Sequence, residues 1–147
     1  MVGTEVNFVV PDSLQALELY ERIFEVKRLE VTNFSRGHNE TVFTIYGSRF
    51  HMLDENPDYQ LMAPVPGTPL PIWINVLVPD IQKTFDASLD AGCKPIQPPT
   101  PMEQFGITNA IVADPFGYTW MLHQVHREVS FEERMQIFKD MGFETAD

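Results

Sequence analysis

The chain has 147 residues, 44% of them hydrophobic and 21% charged, including 11 Phe. That is the length of one domain, with enough apolar material for a real core, and it excludes a disordered chain. Ten basic residues face 21 acidic ones, a net charge of −11, which is the wrong sign for a phosphate backbone, so no nucleic-acid partner is expected. No apolar run approaches the roughly 20 residues that span a bilayer, so no membrane is expected. The opening MVGTEVNFVVPD lacks the basic and apolar regions of a signal peptide, and Cys93 is the only cysteine. Both features suit a reducing, cytoplasmic setting.

The first strand-like run ends at Pro11-Asp12. Asp12 is an N-cap type, with Gln15 at capping-box spacing. Leu14, Leu17, Tyr20, Ile23 and Phe24 then form an apolar stripe at helical spacing. Strand-like runs follow at 27–34, 41–46 and 48–53. A proline-rich stretch, 55–70, reads as a connector because proline removes donors and favours extended backbone. The run WINVLVPD at 73–80 then leads into a second helix through Ile81, Phe85 and Leu89, which stops at Gly92. Strands are expected from 94, at 107–113 and at 118–125. The prolines from Pro95 to Pro101 read as a connection or a cavity edge. Ser130 and Glu133 form a capping box for a last helix with Phe131, Met135, Phe138 and Met141 on one face, a face that must cover something.

The chain repeats itself. Asn7, Val10, Pro11 and Asp12 match Asn75, Val78, Pro79 and Asp80, and Gly47 matches Gly117 before the last strand of each half. Each half therefore reads β-α-β-β-β. The expected fold is α+β: two paired βαβββ modules, about 4–54 and 71–126, forming a concave mixed sheet in a domain of residues 1–126. A helical extension occupies 127–147.

Strand residues alternate between faces. One parity gives Val6, Phe8, Val10, Phe50, Met52, Ile74, Val76, Val78, Trp120 and Leu122, all apolar and expected under the helices. The other gives Glu5, Asn7, Val9, Arg49, His51 and Leu53 in the first half, and Trp73, Asn75, Leu77, Thr119, Met121 and His123 in the second. A few polar groups among aromatic and apolar ones suit a small-molecule cavity. A subunit interface and a plain exposed sheet are the other readings.

Paired βαβββ modules with Asp114-Pro115-Phe116-Gly117-Tyr118 before the last strand resemble the vicinal oxygen chelate superfamily, which includes glyoxalase I and bleomycin-resistance proteins. The longer run from Asp114 to Gln124 resembles its PhnB-like subgroup. The resemblance implies one divalent metal held by four inward residues, and those positions fall on Glu5, His51, Trp73 and Met121. Glu and His suit such a metal; Trp has no usable lone pair, and a Met thioether suits copper(I). His123 shares the parity of Met121, which leaves a three-ligand site of Glu5, His51 and His123 open. The other reading has Glu5 paired with Arg49 or His51 as an ordinary polar cluster.

The leading expectation is a metal-independent small-molecule binding protein and no cofactor. Trp73 would stack the ligand, Asn7 and Asn75 would hydrogen-bond it, and Glu5 would fix a cationic group. The alternative is a metal-dependent lyase, isomerase or oxygenase of the glyoxalase type, with Glu5 moving a proton. An interaction protein is the third. A homodimer is expected in each case, because open sheet edges invite a partner.

Overall fold

Pro11-Asp12 and Pro79-Asp80 each end a strand and start a helix, and the rest of the topology follows from that repeated unit. In the computed structural model, which describes residues 1–146, the first module has β1 (Asn7–Val10), α1 (Ser13–Ile23), β2 (Val26–Val31), β3 (Glu40–Ile45) and β4 (Ser48–Asp54). The second has β5 (Ile74–Leu77), α2 (Ile81–Asp90), β6 (Lys94–Met102), β7 (Ile107–Ala113) and β8 (Thr119–Val125), and α3 (Phe131–Asp140) follows. Each module forms its own four-stranded sheet, in the orders β1-β4-β3-β2 and β5-β8-β7-β6. The β1–β4 and β5–β8 pairs are parallel and the others antiparallel. The α+β class, the doubled βαβββ unit and the C-terminal helix stand as expected.

The helix starts are built alike. The Asp12 carboxylate accepts from the Leu14 and Gln15 amides, and Asp80 accepts from the Lys83 amide. One more donor at each start is met from the end of the module's last strand. Asp54 Oδ1 accepts from the Ser13 amide at 2.7 Å, and Gln124 Oε1 accepts from the Ile81 amide at 2.9 Å. Orphan amides at both helix starts are thus satisfied by a side chain from the same point of the repeat.

The apolar parity of both sheets, together with α1 and α2, builds one shared core. Trp120 is its centre, with Tyr20 and Phe24 of α1 at 4.9 and 5.2 Å between ring centroids. Buried Asp114 ties the modules together. Its Oδ2 accepts from the Tyr20 hydroxyl at 2.6 Å and from the Trp120 indole at 2.8 Å, while Oδ1 takes the Phe116 and Tyr118 amides. Four donors on one buried carboxylate offset its desolvation. The Asp-Pro-Phe-Gly turn is therefore a structural clasp.

Three expectations need correction. Val6 is not under the helices: β1 begins at Asn7, and Val6 is 79% exposed. The prolines of 95–101 are not a connecting loop but lie in β6, an edge strand whose pairing with β7 is interrupted by register shifts. Proline is tolerated there because an edge strand need not donate on its outer side. Helix α3 has its Ser130 cap but buries none of its residues. Only Phe138 finds aromatic partners, Phe105 and Phe143, while Phe131 and Met141 stay exposed.

Candidate functional site

The second parity points away from the shared core on both sheets, as the alternation requires. On the first module, Arg49 and His51 lie two residues apart on β4, so both side chains leave the same face. Asn7 pairs with His51 across the parallel ladder. Glu5, just before β1, reaches both side chains. One carboxylate oxygen binds the Arg49 guanidinium, and the other lies 2.6 Å from His51 Nδ1. A carboxylate only accepts, so Nδ1 carries the proton in that bond. His51 Nε2 is buried without a hydrogen-bond partner, and its nearest carboxylate oxygen, on Glu40, is 3.6 Å away.

These residues border a cavity of about 520 Å³ at the open edge of β1. Thr4, Glu5, Val6 and Asn7 form one wall, and Arg49 and His51 form another. The remainder is apolar: Phe8, Phe50 and Ile74, with Met62 from the connector and Ile72 just before β5. Tyr118 closes the back. Its hydroxyl donates to the Val9 carbonyl at 2.8 Å and accepts from the Val9 amide at 3.2 Å, so it is fully engaged by the chain. The volume lies within the range that holds small molecules.

Of the eight residues singled out in the sequence, the fold brings Glu5, Asn7, Arg49 and His51 together. Asn75 and His123 line a more open cavity, of about 960 Å³, on the second module's face beneath α3. Burial pushes the His123 imidazole below its ordinary value, which favours the neutral ring. Trp73 lies just outside β5, 54% exposed, and borders a third hollow with Leu70, Ile96 and Ile111. Met121 is half-buried in β8, opposite Asn75 and Ile111. The sequence reading missed Glu40, Met62, Ile72 and Tyr118. The landmark turn fixes where Tyr118 stands but not that its hydroxyl reaches β1. Cys93 is buried and its thiol is pushed up to about 12 by desolvation, with the Asp114 charge adding to it; this suits an inert thiol.

The metal implied by the resemblance does not fit the residues of one chain. Among the described residues, no three His, Cys, Asp or Glu side chains come close enough to share an ion. Trp73 and Met121 are poor donors for a hard divalent cation, and Trp73 borders a different hollow from Glu5 and His51. The Arg49 guanidinium already holds the Glu5 carboxylate.

Comparisons with known proteins agree with this architecture. A family model described as the Glyoxalase/Bleomycin resistance protein/Dioxygenase superfamily matches residues 4–122. The uncharacterized protein Mb0911c of Mycobacterium bovis is 28% identical over 142 residues, 92% of this chain and 91% of its own. Among solved structures, the fosfomycin resistance protein FosX of Listeria monocytogenes, complexed with Mn(II) and sulfate, superposes with a TM-score of 0.66 at 14% identity, covering 94% of this chain and 99% of its own. TioX from Micromonospora sp. ML1 gives 0.62 at 20% identity, covering 85% and 100%. At these identities the two structures speak for the fold alone.

Proposed function

Because the chain belongs to the glyoxalase/bleomycin resistance protein/dioxygenase superfamily, we propose that it is a PhnB-like small-molecule binding protein, a cytoplasmic homodimer that works without the superfamily's metal. The observation that carries this reading is the Glu5 carboxylate, whose two oxygens are taken by Arg49 and His51 at the mouth of the apolar cavity. A guanidinium neutralises the charge that a divalent cation would need, and the cavity beside it suits a ligand body. Asn7 supplies an amide, and Phe8 and Phe50 supply aromatic surface.

The homodimer reading draws on what one chain leaves open. β1 and β5 are edge strands. Ile72, Trp73, Leu77, Ile96 and Val125 are exposed apolar side chains around the second module's outer face. A second copy of the chain would cover such surface and pair such edges. It would also be the means of joining Trp73, Asn75, Met121 and His123 to the Glu5 cavity. No helix among the described residues is long and apolar enough to cross a membrane.

A second reading, a metal-dependent lyase, isomerase or oxygenase using Glu5 and His51, with His123 as an optional third ligand, draws on the Mn(II)-bound FosX neighbour. Native mass spectrometry of freshly purified protein without chelator separates the two. The expected result is a bare dimer. One divalent ion per site, lost on Glu5→Gln or His51→Ala, would replace the first reading with the second. A monomer would remove the homodimer.

A further inference from the structure

We propose that Arg49 and His51 form a carboxylate-binding pair that Glu5 of the same chain occupies in the free protein, and that the cavity takes small organic acids whose carboxylate displaces Glu5. This rests on the cavity reading above and specifies its ligand class.

The geometry of Glu5 is the template. Its carboxylate bridges a guanidinium and an imidazole N–H, one oxygen to each. A carboxylate brought by another molecule can make the same two bonds, because both donors are set by alternate positions of a central strand, β4, and not by the N-terminal segment. Glu5 stands outside the strand: it precedes β1, the Glu5 and Arg49 side chains are 36% and 53% exposed, and its neighbour Val6 is exposed. Ion pairs this exposed are weak and exchange readily. Thr4, Glu5 and Val6 also line the cavity, so a ligand entering it meets the latch directly.

The surroundings choose the rest of the ligand. Beside Arg49 and His51 the lining is Phe8, Phe50, Ile72 and Ile74, which suits an apolar or aromatic body. A net charge of −11 favours a cationic ligand at long range. Locally the exchange is neutral, one carboxylate in and one carboxylate out to water. Glu40 faces the far side of His51, at 3.6 Å from Nε2, and stands there whether Glu5 or a ligand sits on Nδ1.

The test titrates ¹⁵N-labelled full-length protein with three probes of one shape: phenylacetate, its neutral amide phenylacetamide, and the cation phenethylamine. Amide shifts are followed by NMR. Phenylacetate is expected to move the signals of residues 4–7 and 49–51 saturably. Glu5→Gln is expected to tighten phenylacetate about threefold, the competition of one exposed ion pair being removed, and to leave phenylacetamide unchanged. Arg49→Met is expected to abolish saturation by phenylacetate, with Arg49→Lys as the variant to use where Met disturbs the fold. Tighter binding of phenethylamine, weakened by Glu5→Gln, overturns the acid proposal while leaving the cavity reading intact. Phenylacetate binding indifferent to Glu5→Gln and to either Arg49 variant also overturns it. Perturbation of no cavity residue by any of the probes overturns the cavity reading, and this proposal with it.

Discussion

The two modules share a topology and differ on their open faces. Where the first has Glu5, Arg49 and His51, the second has Trp73, Thr119 and Met121 at the repeat-equivalent positions. Charges that satisfy one another on one sheet are replaced by an indole, a hydroxyl and a thioether on the other, next to an amide pair in which Gln97 donates to Asn109 at 2.6 Å. The core-facing positions do not diverge in this way. Val10 and Val78, and Met52 and Leu122, are buried apolar pairs. A close-packed interior restricts what each position accepts, whereas the open face is free to specialise. The same contrast recurs at the helix starts. Asp54 holds three backbone amides, those of Ser13, Gly37 and Asn39, whereas Gln124 accepts from the Ile81 amide.

That comparison can be broken or sharpened by mutation. The largest effect is expected where the modules meet. Asp114→Ala orphans four donors in the core and should cost about 4 kcal/mol or prevent folding, read by urea denaturation. Asp54→Ala should cost about 3 kcal/mol, from three amides left without their charged acceptor. A cost equal to that of Gln124→Ala would show that the extra two bonds add nothing. Asp54 also has a pH signature. Burial by itself would raise its carboxyl, but the Ser13, Asn39 and Gly37 amides outweigh this and hold it below its ordinary value of 3.8. A lowered folded value means stabilisation that is complete above the unfolded value and lost as pH falls through the folded one. The stability gap between the natural chain and Asp54→Asn should therefore be constant above about pH 5 and close on further acidification, which denaturation at a series of pH values would read.

The turn glycines give a smaller contrast. Gly47 and Gly117 both have positive φ, +85° and +103°. A Cβ on Gly47 meets nothing within 4 Å, whereas one on Gly117 meets Pro64 Cβ at 3.0 Å. Gly47→Ala should cost about 1 kcal/mol, from backbone strain alone, and Gly117→Ala about 2 kcal/mol. Gln124→Ala is expected to match Gly47→Ala, at about 1 kcal/mol for one orphaned amide, and these two are the smallest effects. Thermal melts of the three variants are sufficient to set Gly117→Ala apart from the other two.

Local signals were easy to read in the sequence. The caps at Asp12, Asp80 and Ser130, and Gly92 after α2, depend on neighbours in sequence. The repeat then doubles each signal, so the βαβββ order was legible. Strand parity also puts Glu5, Arg49 and His51 on one face, where the fold joins them. What failed depended on pairing. Val6 looks like a strand residue, but β1 starts one position later and no helix covers Val6. The prolines of β6 look like a loop because nothing local says that the strand lies at an edge. Trp73 shares its parity with the site residues, yet one chain places it at a separate hollow. Glu40 was overlooked because its approach to His51 follows from the β3–β4 register and not from its own neighbours.

The two tryptophans serve as optical reporters at opposite ends of accessibility. Trp120 is 1% exposed in the junction between modules, and Trp73 is 54% exposed beside the connector. An aqueous quencher such as iodide reaches the second indole and not the first. Blue-shifted emission that resists quencher then reports whether the modules are joined. Red-shifted, quenchable emission reports whether anything has come to rest on the outer face. Unfolding and assembly can thus be followed separately in one unlabelled sample, with Trp73→Phe removing the surface signal and leaving the buried one.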